Sequence, residues 1–427
     1  MKMIVILVAF APFLVDAARS RFRVSPATVT VVWLLPINIG LVMLGDYRAA
    51  LLTSAALALF VHGYHSWHSN RARSRSPIVL THHQTSGLVF ATAITVALVA
   101  YHYAVVGIPL LSDSIETDRW NFRGSGLFGI PGRMMLVGLP LLAALWASVD
   151  GDARVSRYRW LTVGAGLASA VASGFKGGLI TFLVLIVIGY TASHGWISYR
   201  RAARRFAPAL IAGLVFAGAS SQLYGNFIRV NQVDSPVEIL IERVTVGPAE
   251  VAAHTFAVDG SVESLGGRSP SAVFDTLNLL QRYGGDETAF DTPGIIQRIS
   301  ADFRDRPIGT TDVVPTTPTA PATLYMEFGL WMIAIMWVVG LASAAAETAA
   351  AAKGTLLALL RCLAFQMIVF EFIAKGDVAF PALNWLIVGL MVGFLCSFGR
   401  VLNRSIAGSE SALVLPGEPV SMAEVNA

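Results

Sequence analysis

Long apolar blocks separated by short polar connections form the main pattern of this sequence. The blocks occupy residues 3–16, 27–44, 49–64, 86–107, 128–148, 160–174, 178–193, 207–223, 322–346, 354–374 and 378–399. Most approach the ~20 residues that a helix needs to cross a hydrocarbon core of about 30 Å. The pattern predicts an all-α polytopic membrane protein with about eleven transmembrane helices and one large loop.

The composition agrees with a protein whose surface faces lipid. Only 14% of the 427 residues are charged, 55% are hydrophobic, and the mean hydropathy is +0.63. A soluble domain carries about 25% charged residues, so this chain cannot cover itself with a water-facing surface. Cys362 and Cys396 both fall inside apolar blocks, which predicts packing residues rather than a disulfide or a metal site.

The distribution of Lys and Arg predicts the orientation in the membrane. If the blocks alternate in direction, one side receives Arg19, Arg21, Arg23, Arg71, Arg73, Arg75, Arg154, Arg157, Arg159, Arg200, Arg201, Arg204, Arg205, Lys353, Arg400 and Arg404. The opposite short connections receive Arg48, Arg119, Arg123, Lys176 and Lys375. The richer side is expected to be cytoplasmic, so the N-terminus lies outside and the C-terminus inside. The basic pI, near 9.2, therefore reflects this topology and not nucleic-acid binding.

The arginines that follow the first block favour a retained membrane anchor over a cleaved signal peptide.

Two predicted outer connections are longer than tight turns. The first covers residues 108–127, and the second covers 224–321. The connection over 224–321 is too long to serve only as a link between two helices. The sequence thus divides into transmembrane helices 1–8 over 1–223, a large periplasmic loop over 224–321, helices 9–11 over 322–400 and a cytoplasmic tail over 401–427. Within the large loop, SPSAVFDTLNLLQRY and PGIIQRISADF are predicted helices.

Basic residues in the predicted outer connections suggest a phosphate site at the outer end of the helix bundle. The large loop carries seven arginines against thirteen acidic residues, so most of these arginines are expected to be solvated or salt-bridged. Arg119 and Arg123 lie in the first outer loop, and Lys176 lies in the glycine-flanked turn SGFKGG. Arginine offers a phosphate a bidentate fork and lysine a point charge. This set suits the headgroup of a membrane-anchored pyrophosphate lipid. The seven loop arginines are Arg229, Arg243, Arg268, Arg282, Arg298, Arg304 and Arg306.

Other chemistry-bearing residues narrow the possible functions. Few ionisable residues fall inside the blocks, among them Arg133, Arg361 and Glu371, and their scarcity disfavours an ion-coupled transporter. No P-loop, GxGxxG, HExxH or DxD-like pair occurs, so we expect chemistry that needs no nucleotide, metal or other cofactor.

Six of the eight histidines bear on possible chemistry, and they form two groups. The first group contains five histidines around one predicted cytoplasmic connection, and no carboxylate or cysteine is nearby in the sequence. It therefore predicts a solvated interfacial loop rather than a metal site. His254 lies apart in the large outer loop, where an imidazole can act as a base, although a lone histidine is more often structural. The first group consists of His62, His65, His68, His82 and His83.

Four stretches stand out in their order and spacing: GIPLLSDSIETDRWNFRGSGLFG, SGFKGG, IERVTVGPAEVAAHTF with the later GGRS, and TPTAPATLYMEFGLWM. Together they resemble the oligosaccharide repeat-unit polymerases, the O-antigen polymerase (Wzy-type) group. GIPLLSDSIETDRWNFRGSGLFG resembles the arginine-bearing outer loop of that family, and SGFKGG resembles its Gly-Ser-Arg-Gly-like turn, with Lys176 at the arginine. IERVTVGPAEVAAHTF and the later GGRS resemble the opening of the large loop. TPTAPATLYMEFGLWM resembles its exit, although Ala322 and Thr323 stand where Gly-Glu is common and Glu327 stands where Asn is common.

The resemblance implies a fold, a substrate and a set of site residues. The fold is that of the GT-C-like polymerase and ligase group. The substrate is an undecaprenyl-pyrophosphate-linked oligosaccharide, polymerised at the outer face of the bacterial inner membrane beside a repeat-unit flippase and a chain-length regulator. Base candidates are His254, Asp302 and Glu327, and pyrophosphate contacts are Arg119, Arg123, Lys176, Arg229 and Arg243.

Three alternatives remain open on the sequence. An O-antigen ligase has the same layout and chemistry with a different acceptor. A transporter or flippase for a polyprenyl-linked sugar also needs a cationic mouth, but it has less use for a large ordered outer loop and usually shows two related halves. A structural membrane scaffold is the third alternative.

Overall fold

The computed structural model describes residues 2–67, 78–112, 125–173, 176–206, 211, 245–258, 295–304 and 318–413. Every predicted apolar block except 207–223 coincides with one or two helices; that block, apart from residue 211, lies outside the described residues. The helices are α1 (Lys2–Ser20), α2 (Pro26–Met43), α3 (Tyr47–Trp67), α4 (His82–Val106), α5 (Ile130–Ser148), α6 (Ala153–Ala172), α7 (Lys176–His194), α8 (Gly247–Ala257), α9 (Ile295–Asp302), α10 (Ala320–Phe328), α11 (Met332–Lys353), α12 (Leu356–Lys375) and α13 (Ala379–Leu413).

Six segments in the described residues are long and apolar enough to cross a membrane. A shorter apolar helix covers Thr181–His194. By the length and character of these helices the chain is an all-α membrane protein, and the other spans among the predicted eleven stay a prediction. The six segments are Pro26–Met43, His82–Leu111, Ile130–Ser148, Ala320–Lys353, Leu356–Lys375 and Pro381–Asn403.

Polar side chains at the helix starts explain several of the boundaries. Ser25 and Thr28 form a reciprocal capping box at the start of α2, and Thr81 and Gln84 form another at α4. Thr355 accepts a hydrogen bond from the amide of Ala358 at the start of α12. These side chains satisfy amides that a helix leaves without an internal acceptor.

The predicted ninth span is not one continuous helix. The sequence predicts one uninterrupted span at 322–346, but α10 ends at Gly329, whose φ is +57°, and a 3-10 turn leads into α11. Glycine adopts this backbone conformation readily, which suits it to end α10. A second irregularity is the π-helical turn Met134–Gly138 within α5.

Two short β-ribbons bring together connections that the sequence assigns to one side. Arg23–Val24 (β1) pairs antiparallel with Ile197–Ser198 (β4), and Ile78–Val79 (β2) pairs parallel with Val149–Asp150 (β3). We call this end of the bundle the ribbon end. The opposite end, which carries α8 and α9 from the large loop, is called the loop end.

Small residues allow a close helix crossing between α3 and α11. A Cβ on Gly340 would collide with the carbonyl oxygen of Phe60 and lie 2.9 Å from the amide nitrogen of Tyr64. A Cβ on Gly63 would meet the backbone of Trp337 in the same way. Close backbone approach at small residues is typical of packing between membrane helices.

A buried acid corrects the expected environment of one histidine. His65 was predicted to lie in a solvated loop, but it is 7% exposed, and its Nε2 lies 2.8 Å from Oδ1 of Asp16. Thr28 donates to the other oxygen of Asp16 at 2.5 Å. The sequence argument failed because Asp16 lies 49 residues from His65 and meets it only through the packing of α1 on α3.

The bundle also buries more ionisable groups than the sequence indicated. Besides Asp16, Glu347 of α11 is fully buried and accepts a hydrogen bond from Tyr64. At the loop end, Glu371 accepts from Trp385 at 2.9 Å and lies 2.6 Å from the amine of Lys375. Burying such groups is unfavourable unless they are paired, and each of these carboxylates has a partner.

Candidate functional site

The helix α8 lies directly on the loop end of α2. A Cβ on Gly40 of α2 would lie 2.7 Å from Cβ of Ala249 and would collide with the carbonyl oxygen of Thr245. Glycine at position 40 therefore lets the backbone of α8 approach α2. Pro248 lies in the first turn of α8, where its missing amide hydrogen leaves no bond unmade.

A small apolar core joins α8, α9 and α10. Val251, Ile299 and Met326 are the buried members, one from each helix, and Val258 and Phe303 pack against them. Because α8 and α9 belong to the large loop while α10 leads into a membrane helix, this core attaches part of the loop to the bundle. The helix predicted at PGIIQRISADF is confirmed as α9, whereas the one predicted at SPSAVFDTLNLLQRY lies outside the described residues.

Two of the predicted base candidates, His254 and Asp302, contact each other next to this core. His254 follows Val251 by three positions on α8, and Asp302 follows Ile299 by three positions on α9, so each lies on the helix face that carries the core. His254 Nε2 lies 2.7 Å from Oδ2 of Asp302, which is hydrogen-bond distance. We call them the His254–Asp302 pair.

The pair is reachable from solvent and holds the imidazole in a defined orientation. The side chain of His254 is 33% exposed and that of Asp302 is 35% exposed. The ring of Phe303 meets the imidazole edge-on, with centroids 5.4 Å apart. A carboxylate only accepts hydrogen bonds, so a neutral imidazole donates from Nε2 and keeps Nδ1 as its basic nitrogen. Many transfer enzymes orient a catalytic histidine through a hydrogen bond to a carboxylate in this way.

A second polar contact lies at the loop end, between α3 and α10. Arg48, which is exposed near the start of α3, donates a hydrogen bond to the hydroxyl of Tyr325. Its guanidinium carbon lies 5.5 Å from the centre of the tyrosine ring. The ring of Tyr325 in turn contacts Phe256 of α8, with centroids 5.4 Å apart.

The remaining predicted site residues fall into two groups. Glu327 lies on α10 next to the core residue Met326 and is half-buried. Lys176 is the first residue of α7, and its side chain is outside the described part of the chain. The other predicted pyrophosphate contacts also lie outside the described residues, so their role stays a prediction: Arg119, Arg123, Arg229 and Arg243.

The contact between Arg48 and Tyr325 is not evident from the sequence, where Arg48 lies in a short predicted connection and Tyr325 lies inside an apolar block. Arg48 is nevertheless one of few basic residues on the poorer side of the charge distribution.

Comparison with known proteins adds no assignment. No family model, curated protein or solved structure matches this chain.

Proposed function

We propose that this chain is a membrane glycosyltransferase that polymerises undecaprenyl-pyrophosphate-linked oligosaccharide repeat units at the outer face of a bacterial inner membrane. The observation that carries the proposal is the His254–Asp302 hydrogen bond, in a partly exposed position on helices of the large loop. A base placed where the loop meets the membrane bundle suits a substrate with a lipid tail and a water-soluble glycan.

The chemistry follows from the two members of the pair. An acceptor hydroxyl attacks the anomeric carbon, a new C–O bond forms, and the C–O bond to the pyrophosphate breaks with its electron pair on the leaving group. Nδ1 of His254 takes the hydroxyl proton, and Asp302 orients the imidazole and stabilises its protonated form. Glu327, half-buried on α10, is the alternative base.

The pyrophosphate leaves with additional negative charge, which nearby cations can stabilise without protonating it. Arg119, Arg123, Lys176, Arg229 and Arg243 are proposed for this task from the sequence. Fixed cations that face a developing negative charge lower the barrier without having to reorganise during the reaction.

Two alternative functions share parts of the same site. A ligase uses the same step and differs only in its acceptor, which is a lipid-anchored glycan core in place of a second repeat unit. The break at Gly329 favours the transporter alternative, because interrupted helices line many transport sites.

One assay separates these alternatives. Purified protein in lipid nanodiscs is given a synthetic undecaprenyl-pyrophosphate repeat unit, and products are separated by chain length. A polymerase gives a ladder and releases undecaprenyl pyrophosphate. Unchanged substrate would contradict the proposal, whereas a single product formed only with an added core acceptor would favour the ligase.

A further inference from the structure

The β1–β4 ribbon brings two basic segments of the chain together at the ribbon end. Arg23 pairs with Ser198 across the ribbon, and the amide of Tyr199 donates a hydrogen bond to the carbonyl oxygen of Phe22 at 3.1 Å. The chain then continues as a helix over 199–206. The connection between α1 and α2 therefore lies beside the first turn of this helix, although the two segments are far apart in the sequence.

Five arginines of these two segments are exposed. Three of them are spaced by three and four positions on the helix over 199–206, which places them on one face. Arg205 is not counted, because its guanidinium donates to the hydroxyl of Tyr190 at 3.1 Å and covers the tyrosine ring. Neither segment contains an acidic residue, and in the part of the chain that the structure describes none of the five forms an ion pair. The five are Arg21, Arg23, Arg200, Arg201 and Arg204.

An exposed aromatic residue lies between the two arginines of the α1–α2 connection. Phe22 is 67% exposed, and its ring meets that of Tyr199 edge-on, with centroids 6.3 Å apart. Arg21 and Phe22 both have a φ of +55°, a left-handed conformation that residues other than glycine rarely adopt. Such a conformation persists only where the surrounding structure fixes it. The turn thus keeps an apolar ring exposed between two cationic side chains.

This surface lies at the level of the lipid headgroups. The α1–α2 connection directly precedes Pro26, where a helix long and apolar enough to span the membrane begins. Basic clusters next to a membrane helix attract anionic headgroups, and aromatic rings are enriched at the same depth. Because the connection is short, it stays at the membrane surface and does not extend toward a soluble partner. The charge, the ring and the depth together favour a lipid as the occupant.

We propose that the five arginines and Phe22 form a binding site for an anionic phospholipid. The guanidinium groups contact the headgroup phosphate, for which their planar N–H donors are well suited, and the ring of Phe22 lies against the start of the acyl chains. A choline headgroup carries a cation that the arginines repel, so phosphatidylglycerol binds in preference to phosphatidylcholine. The site is at the opposite end of the bundle from the His254–Asp302 pair, and the inference does not depend on the proposed catalysis.

The test is native mass spectrometry of the full chain in neutral detergent, titrated with phosphatidylglycerol or with phosphatidylcholine. The wild type should retain phosphatidylglycerol at the lower lipid concentration. One basic residue near an anionic lipid surface strengthens attraction about fivefold, so the double variant Arg23→Gln with Arg200→Gln should weaken retention roughly 25-fold. Phe22→Ala should also weaken retention, although it leaves the charge unchanged.

A charge-matched variant serves as the control. Arg154→Gln with Arg157→Gln removes the same charge from exposed residues of α6, which also begins at the ribbon end but lies outside the proposed site. This variant should retain phosphatidylglycerol as the wild type does. Melting curves confirm that each variant is folded. If the change at the ribbon prevents folding, Arg201→Gln with Arg204→Gln tests the same site without altering the ribbon.

Three results would overturn the inference. The first is equal retention of the two lipids by the wild type, or no retention of either, which would leave an acidic protein as the partner of this surface. The second is an equal loss of phosphatidylglycerol in the two charge-matched double variants, which would show attraction to net charge without a defined site. The third is wild-type retention by a folded protein that lacks Arg23 and Arg200.

Discussion

His254 and Asp302 lie 48 residues apart in the sequence and meet through a hydrogen bond of 2.7 Å between Nε2 and Oδ2. Each comes from a separate short helix of the large loop, and both helices rest on a core shared with α10. The contact joins two residues that the sequence had offered as separate candidates for one role. The hydrogen bond suits the complementary roles proposed above, with His254 as the base and Asp302 as the acid that orients it.

The arrangement of the connections makes a prediction about topology. The ribbon end should face the cytoplasm and the loop end the periplasm, because the ribbon end carries most of the basic connections. A reporter fused after Arg404 should be active only in its cytoplasmic form, and one inserted at Gly260 only in its exported form. Cytoplasmic activity at Gly260 would invalidate the placement of the site.

The buried contact between Asp16 and His65 makes a prediction about stability. Asp16→Ala removes the acceptor for both Thr28 and His65 in a position with no access to water. Leaving a buried hydrogen-bond donor without an acceptor costs about 1–3 kcal/mol, so the melting temperature in detergent should fall by several degrees. His62→Ala, an exposed neighbour on the same helix, is the control and should have little effect.

The crossing of α3 and α11 makes a second prediction about stability. Gly340→Ala places a methyl group against the backbone of Phe60, so the two helices must separate. The variant should melt earlier and express less. Gly164→Ala is the matched control, because a Cβ at Gly164 meets nothing within 4 Å and alanine is the better helix former by up to about 1 kcal/mol. Equal melting temperatures for the two variants would contradict the close crossing.

The sequence predicted the class of the molecule because that class follows from simple physics. A hydrocarbon core fixes the length of a spanning helix, so blocks such as 27–44 and 354–374 mark α2 and α12 closely. PGIIQRISADF likewise predicted α9 within the large loop.

Tertiary contacts were not predictable in the same way. Asp16 and His65, or His254 and Asp302, become partners only once the helices pack, and no local pattern records that. The break at Gly329 was hidden because apolar residues continue on both sides of it. The candidates were thus identified by residue type, while their pairing required the structure.

The predicted pyrophosphate contacts outside the described residues give a prediction about product formation. Arg123→Ala and Arg243→Ala should each lower polymer formation by about 10²–10³-fold, as expected when a fixed donor to a developing charge is lost. Lysine at either position keeps the charge but not the fork, so partial recovery is expected. Polymer is measured on a length-resolving gel with a blot for protein level. Normal ladders from both alanine variants would refute these two assignments.

The most direct test of the account is the turnover of purified His254 variants on a synthetic lipid-linked repeat unit. His254→Asn keeps an amide that can hydrogen-bond to Asp302 but has no basic nitrogen, so the variant should fold and still lose about 10²–10⁴-fold in rate. Asp302→Asn should lose less, because the base remains. Glu250→Ala, exposed on the same helix as His254, should turn over normally. Wild-type turnover by folded His254→Asn protein would contradict the central claim.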